Sequence, residues 1–250
     1  MSNTVLFTNG CSFANCTRYR DEKLEDNKVW PLWLHDRMPH SLHVTEGLGG
    51  QGNQMIAHRT QYRLQKVLQQ HRAEDILAVI MWTGSDRWQF FHTEDLGFPR
   101  VTGEEVNPVK FIDDPTGGYY KGSWVLTHPQ YIHERNELFY KYFYDPIWMQ
   151  IQTLEAVINT QRYLREKGIR YVMSTAFNNC FDPNHRNSPN VDWLWEQIDW
   201  EPWLPVKSMK EWCDATCPIL GVNNFHPRPE QCEKFVDQIL WPYLLDKKLV

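Results

Sequence analysis

The segment "DILAVIMWT" (75–83) constrains the fold of this chain more than any other stretch. Its apolar residues form an almost continuous run, whereas a strand with one face in water alternates between apolar and polar residues. Such a run is typical of a strand at the centre of a parallel sheet, where both faces are covered. The segment therefore predicts a buried strand with helices packed above and below it.

Similar patterns recur on both sides of this segment, and strands alternate with helices along the chain. Further strands are predicted at "TVLFT" (4–8), "SLHVTEG" (41–47) and "IRYVMSTAF" (169–177). Helical spacing predicts helices over 30–38, 54–71, about 147–167 with Gly168 as a C-cap, and a last one from 229 that Pro242 ends. Alternating strands and helices indicate an α/β fold with a mostly parallel central sheet between two helical layers.

Two segments depart from this alternation. Residues 86–130 are rich in glycine, proline and charge, and they are too long for a plain connection, so they predict an irregular insertion that forms a lid or a substrate-binding region. Residues 178–206 are Trp-rich, and their tryptophans either pack a loop against the core or form a flat face for a sugar or a base. We expect one domain over 1–250 that contains both segments.

Composition excludes several classes of function. The net charge is −5 with no long basic run, so nucleic-acid binding is not expected. No apolar stretch approaches the roughly 18 to 20 residues of a membrane span, and the N-terminus does not read as a signal peptide. The six cysteines are scattered, which indicates free thiols in a reducing compartment. We therefore expect a cytoplasmic protein without a membrane partner; the sequence does not determine its oligomeric state.

Four polar or Gly-rich features follow the predicted strands or precede the last helix. They are Ser12, "GLGGQGN" (47–53), "TGSDR" (83–87) and "NNFHPRPE" (223–230). Sites in open α/β sheets form outside the carboxyl ends of the strands, so these features are expected to meet at one edge. Alone, each has an ordinary explanation as a turn, a helix cap or a solvated histidine. Together they supply what acyl transfer needs: a nucleophile, a base and donors for an oxyanion.

The same four features resemble the sequence blocks of SGNH (GDSL-type) hydrolases, especially divergent phage and bacterial members with "GCSF" near the N-terminus. The matching stretches are "NGCSF", "GGQGNQ", "TGSD" and "NNFHP". The resemblance implies a flavodoxin-like α/β/α fold in which Ser12 is the nucleophile and His226 the base. It also places Asn223 where the family has aspartate, which removes a carboxylate that would stabilise the imidazolium.

The resemblance further implies an oxyanion hole. The Gly50 backbone N–H is expected to join the hole with Asn53 nearby, and Ser85 stands where the family has asparagine. The substrate is expected to meet residues of the stretch "WTGSDRWQFF" (82–91), namely Trp82, Asp86, Arg87 and Trp88. For the arginine, two alternatives are open: it binds a carboxylate or phosphate, or it forms a surface ion pair.

These features predict a serine-dependent O-acyl ester hydrolase that needs no cofactor or metal, with carbohydrate O-acetyl groups as one candidate substrate. The partner is then a small-molecule or carbohydrate ester. An O-acyltransferase and a catalytically weakened carbohydrate-binding protein on the same fold are alternatives. A cysteine nucleophile at Cys11 or Cys16 is a further rival. Another is a zinc site built from a Cys-x₃-Cys…His…Cys set: Cys213, Cys217, His226 and Cys232.

Overall fold

A computed structural model describes residues 4–16, 28–92, 109–110, 123–126, 134–181, 188–216 and 226–250. Its strands are β1 (Val5–Gly10), β2 (Leu42–Thr45), β3 (Ile76–Trp82), β4 (Gln89–His92), β5 (Val109–Lys110), β6 (Ser123–Leu126) and β7 (Arg170–Thr175). Its helices are α1 (Trp30–Arg37), α2 (Asn53–Val67), α3 (Glu134–Tyr142), α4 (Pro146–Lys167), α5 (Pro189–Trp195), α6 (Met209–Thr216), α7 (Pro229–Phe235) and α8 (Trp241–Asp246). The four predicted strands are β1, β2, β3 and β7.

The main sheet has the order β2-β1-β3-β7, and all its strands are parallel. A short rung extends it, because Met173 N–H donates to Pro202 O and Leu204 N–H donates to Met173 O, at 2.8 and 2.9 Å. The chain leaves β1 toward β2 on one side and later returns to β3 on the other. This reversal of strand order opens a crevice at the carboxyl ends of β1 and β3, where ligands bind in folds of this type.

Helices cover both faces of this sheet, as the buried strand β3 predicts. Alternate residues of β1 point to opposite faces: Val5 and Phe7 pack in the core beneath α2, α4 and α5, whereas Leu6 packs in the core formed with α1, α6 and α7. All three side chains are completely buried. The predicted three-layer α/β/α architecture is confirmed.

The insertion after β3 contains regular structure that its composition did not reveal. The strands β4, β6 and β5 form a three-stranded antiparallel sheet in that order. The prediction of an irregular insertion was therefore incomplete. These strands are only two to four residues long and lie among glycine, proline and charged residues, so their apolar patterns are too short to predict strands.

The last helix does not end at Pro242. A π-helical segment over Val236–Leu240 follows α7, and α8 continues it to Asp246. The N–H of Trp241 donates to the carbonyl of Val236, five residues back. A proline inside a regular α-helix collides with the carbonyl four residues earlier, and the wider π turn makes room for the ring. The predicted end was wrong because this local adjustment leaves no mark in the apolar pattern.

Two tryptophans of the Trp-rich segment, Trp195 and Trp203, pack partly buried against the core, whereas Trp193 and Trp200 are 55% and 40% exposed. Trp195, Trp200 and Trp203 surround the ring of Phe181 with centroid distances of 5.1–5.6 Å. The Trp203 indole N–H donates to the Asp199 carbonyl at 2.9 Å. These contacts pack part of the segment against the core, and the two exposed rings leave a flat face for a ligand as a prediction.

Candidate active site

Ser12 lies in the turn that leaves β1. The strand ends at Gly10, and a 3₁₀ turn over Ser12–Ala14 carries the chain away from the sheet edge. Ser12 is 8% exposed, so its hydroxyl sits in a protected position close to the surface. The backbone N–H groups at the start of a helical turn have no partner within the turn, which leaves the Ser12 N–H suited to bind an oxyanion.

His226 approaches this hydroxyl from the far end of the sequence. Its Nε2 is 2.7 Å from the Ser12 Oγ, although 214 residues separate the two. When the ring is neutral with its proton on Nδ1, Nε2 accepts the hydroxyl proton. The contact therefore has the geometry of a nucleophile next to its general base.

An aromatic wall supports this pair. The ring of Phe13 meets His226 edge-on with centroids 5.5 Å apart, and on its other side it meets Phe177 at 4.8 Å. The guanidinium carbon of Arg87 lies 5.4 Å from the Phe177 ring centroid. Phe177 follows β7 and was not singled out from the sequence, where a lone aromatic after a strand looks like any core residue.

The Gly-rich loop between β2 and α2 is fastened beside the serine turn. Gly50 has a φ of 84°, and Gln51 N–H donates to Leu48 O at 3.3 Å, so glycine occupies the turn position that favours a positive φ. A Cβ on Gly47 would lie 2.0 Å from the Ala14 carbonyl oxygen, which shows how closely the two segments pack. This proximity is compatible with the Gly50 N–H as an oxyanion donor, and that role stays a prediction.

A buried amide pair, Asn9 and Gln51, joins the loop to the end of β1. Asn9 accepts from the Gly10 N–H and from Gln51 Nε2, both at 2.8 Å, and donates to Thr60 Oγ1 at 2.9 Å and to Ile56 O at 3.0 Å. Gln51 Nε2 also donates to the Gly10 carbonyl. Both side chains are completely buried. Sequence reasoning missed them because amides beside glycines read as ordinary loop residues.

Asn53 and Ser85 are already engaged in other hydrogen bonds. Asn53 Nδ2 donates to Thr83 O at 3.0 Å and to Thr153 Oγ1 at 3.1 Å, and its Oδ1 accepts from the Thr83 N–H at 2.9 Å. Ser85 Oγ donates to Asn179 O at 2.9 Å. The bonds to Thr83 and from Ser85 tie the segment after β3 to α2 and to Asn179, and the bond to Thr153 ties α2 to α4. Roles in an oxyanion hole stay predictions for both residues and would require these bonds to rearrange.

The four candidate substrate-binding residues differ in position. Trp82 is completely buried in the core under α2 and α4, which leaves it no surface for a substrate. Asp86 and Arg87 are half-buried at the sheet edge, and the Asp86 carbonyl accepts from Tyr140 OH at 2.6 Å. Trp88 stacks on Phe139 at 6.0 Å. The last three thus line the region between the crevice and α3.

Two alternative chemistries were a cysteine nucleophile and a zinc site. Burial raises the pKa of the Cys16 thiol to about 11, in spite of a hydrogen bond from Thr45, so the thiol is protonated at neutral pH and is a poor nucleophile. Within the described ranges, no three histidine, cysteine or acidic side chains are grouped to hold a metal. Cys217 of the zinc alternative and Asn223, the predicted partner of the base, both lie outside those ranges.

Comparison with known proteins gives a fold but no family assignment. No protein-family model and no curated protein sequence matches the chain. A solved structure of TesA is 11% identical with a TM-score of 0.50, and the match covers 96% of this chain and 98% of that one. The YxiM protein of Bacillus subtilis is 11% identical with a TM-score of 0.52, over 100% of this chain and 58% of that one. At this level of identity the two likenesses show a shared fold and nothing further.

One further observation concerns membranes. Among the helices in the described part of the chain, none has the length and apolar character needed to cross a bilayer.

Proposed function

We propose that the protein is a serine-dependent O-acyl ester hydrolase in which Ser12 is the nucleophile and His226 the general base. The observation that carries the proposal is the 2.7 Å contact between Ser12 Oγ and His226 Nε2. The position of the pair supports it too, since both groups lie at the carboxyl edge of the parallel sheet, next to the strand-order reversal.

The first half of the reaction forms an acyl-enzyme. Ser12 Oγ attacks the acyl carbon while its proton moves to His226 Nε2. The tetrahedral intermediate then expels the alkoxide, which takes the proton from Nε2 and leaves as the alcohol. The second half repeats these steps with water: its proton goes to Nε2, its oxygen adds to the acyl carbon, and the collapse releases the carboxylic acid and restores Ser12.

Backbone N–H groups supply the oxyanion hole in this proposal. The N–H of Ser12, at the start of its 3₁₀ turn, and the N–H of Gly50 in the fastened loop are the donors. The Ser85 hydroxyl makes a third, weaker contribution, since it must first leave the Asn179 carbonyl. An incomplete hole predicts slow turnover, because one missing donor costs about 10²- to 10³-fold in kcat in other hydrolases.

The test is hydrolysis of 4-nitrophenyl acetate combined with labelling by a fluorophosphonate, which reacts with activated serines. We expect labelling at Ser12 and a loss of at least about 10³-fold in kcat for Ser12→Ala and for His226→Ala. O-acetylated oligosaccharides are the natural-substrate class to assay beside the activated ester.

A matched serine control is available. Ser188 precedes α5, and its side chain makes no capping hydrogen bond, so Ser188→Ala should keep both activity and labelling. A wild-type protein that neither hydrolyses the ester nor takes the label would refute the proposal. Full activity in Ser12→Ala would show that another group is the nucleophile.

A further inference from the structure

Arg87 has a cationic side chain at the edge of the candidate site, and no described residue pairs with it as an anion. Within the described residues it makes no ion pair, and its Nη1 is buried without a hydrogen-bond partner. The residue as a whole is half-buried, whereas its Nη1 is enclosed. Of the two alternatives that the sequence left open for it, the surface ion pair is not formed with any residue that the structure describes.

An enclosed cationic nitrogen without a partner is unfavourable, because it has lost hydration and gained no hydrogen bond. The contact with Phe177 compensates only in part, since cation–π interactions are worth about 0.5–2 kcal/mol. The neighbouring Asp86 carboxylate does not pair with it; its Oδ1 lies beside Gly84, 2.5 Å from where a Cβ would be. Among the described residues no carboxylate pairs with Arg87, so its guanidinium is available to bind an anion.

The backbone at Arg87 is tightly packed, and the side chain lies close to the nucleophile. Its backbone packs against Gly52, where an added Cβ would lie 2.8 Å from the Arg87 carbonyl oxygen. The Gly52 N–H donates to Gln89 Oε1 at 2.6 Å, which fixes the chain just beyond. The guanidinium contacts the ring of Phe177, and this ring contacts that of Phe13, the residue next to Ser12.

We propose that Arg87 binds a carboxylate group of the ester substrate, so the preferred substrates are esters that carry a negative charge near the scissile bond. A planar guanidinium matches a carboxylate with two parallel N–H···O bonds, and a partly enclosed site strengthens such bonds. This inference rests on the proposed function and names the substrate class of the same site. Arg87, positioned by Phe177 and Phe13, then binds the substrate's charged end while Ser12 attacks the acyl carbon.

The experiment compares charged and neutral esters of matched size. For the acyl side the pair is 4-nitrophenyl hydrogen glutarate and 4-nitrophenyl valerate; for the alcohol side it is 3-acetoxybenzoate and phenyl acetate. The readout is the ratio of kcat/KM for the charged ester over the neutral one. We expect the wild type to favour the charged ester in at least one pair, and Arg87→Gln to lower that ratio by about 10- to 100-fold.

Two further variants separate charge from geometry. Arg87→Lys keeps the positive charge but loses the two parallel N–H donors of the guanidinium. Its ratio of kcat/KM for the charged over the neutral ester should therefore lie between those of the wild type and Arg87→Gln. The control is Arg72→Gln, because Arg72 lies before β3 at the opposite end of the strand, is 73% exposed and pairs with Glu74. This control should leave the ratio unchanged.

A binding measurement keeps the test independent of turnover. Monomethyl glutarate should raise the Tm of Ser12→Ala in a saturable way, and the Ser12→Ala/Arg87→Gln double variant should lose this response. If neutral esters are cleaved through Ser12 but no ratio depends on Arg87, the carboxylate site is refuted and the hydrolase stands. If no ester is cleaved, the proposed function fails, and the Tm response alone decides whether Arg87 binds the anion.

Discussion

Replacing Gln51 with glutamate is a sensitive test of the buried amide pair. In the native protein, Gln51 Nε2 faces three acceptors: the Asn9 Oδ1 at 2.8 Å, the Gly10 carbonyl, and the Glu46 carbonyl at 3.3 Å. Glutamate has nearly the same shape but presents an oxygen in place of the donor. The change therefore converts attractive contacts into repulsive ones without altering volume.

The expected magnitude follows from burial. Gln51 is completely buried, so an ionised carboxylate there is desolvated. The nearby cations Arg59 and Arg63 are already paired with Glu46. Uncompensated buried charge of this kind costs about 3–5 kcal/mol of unfolding free energy. Gln51→Met removes the donors without adding charge, and we expect it to cost only about 1–3 kcal/mol.

The assay is urea unfolding followed by tryptophan fluorescence, at pH 7 and at pH 5. Burial without a cation raises the pKa of the new carboxyl group, so its folded state takes up a proton more readily than its unfolded state. Stability is then lost as pH rises, and the gap between Gln51→Glu and Gln51→Met should narrow at pH 5. Equal stability of Gln51→Glu and the wild type at pH 7 would refute the reasoning.

Three further outcomes are expected. Burial, assisted by the nearby His35, lowers the pKa of His43 to about 4 from its usual 6.5. Folding therefore favours the neutral imidazole, and the free energy of unfolding should fall by roughly 2–3 kcal/mol as pH drops from 6.5 to 4. His43→Gln should show a smaller fall, measured by urea unfolding at both pH values. Gly47→Ala should displace the turn at Ala14, since the added Cβ would lie 2.0 Å from its carbonyl oxygen, and should abolish ester hydrolysis. Gly168→Ala meets no atom within 4 Å but has a φ of 71°, so it should cost about 1 kcal/mol in stability and leave turnover unchanged; an inactive variant would contradict this.

Much of the fold was predictable because it depends on local apolar runs. The strand β3 and its neighbours are buried on both faces, and that burial is written as continuous runs in the sequence. The continuation past Pro242 was not predictable, because it depends on a π segment that accommodates the ring. Trp82 was assigned to the binding surface, although it is the last residue of the apolar run that forms β3 and its side chain is completely buried.

The candidate site divides in the same way. Sequence order brought Ser12 and His226 to attention, and their contact at 2.7 Å agrees with the expected edge of the sheet. Asn9, Gln51 and Phe177 escaped notice because their importance lies in partners that are distant along the chain. Amide side chains and single aromatic residues form no periodic pattern in a sequence. Only the contacts in the folded protein distinguish a buried, hydrogen-bonded side chain from a solvated one.

The long separation between Ser12 and His226 has a consequence for folding. One residue follows the first strand of the sheet, and the other precedes the last helix, so their contact requires that β1, β3 and the closing helix have all docked. Contacts this distant in sequence form late, after the entropy of closing the intervening chain has been overcome. Under the proposed function, the recovery of esterase activity during refolding therefore reports the final docking step. In partly folded chains Ser12 has no base beside it and is not activated.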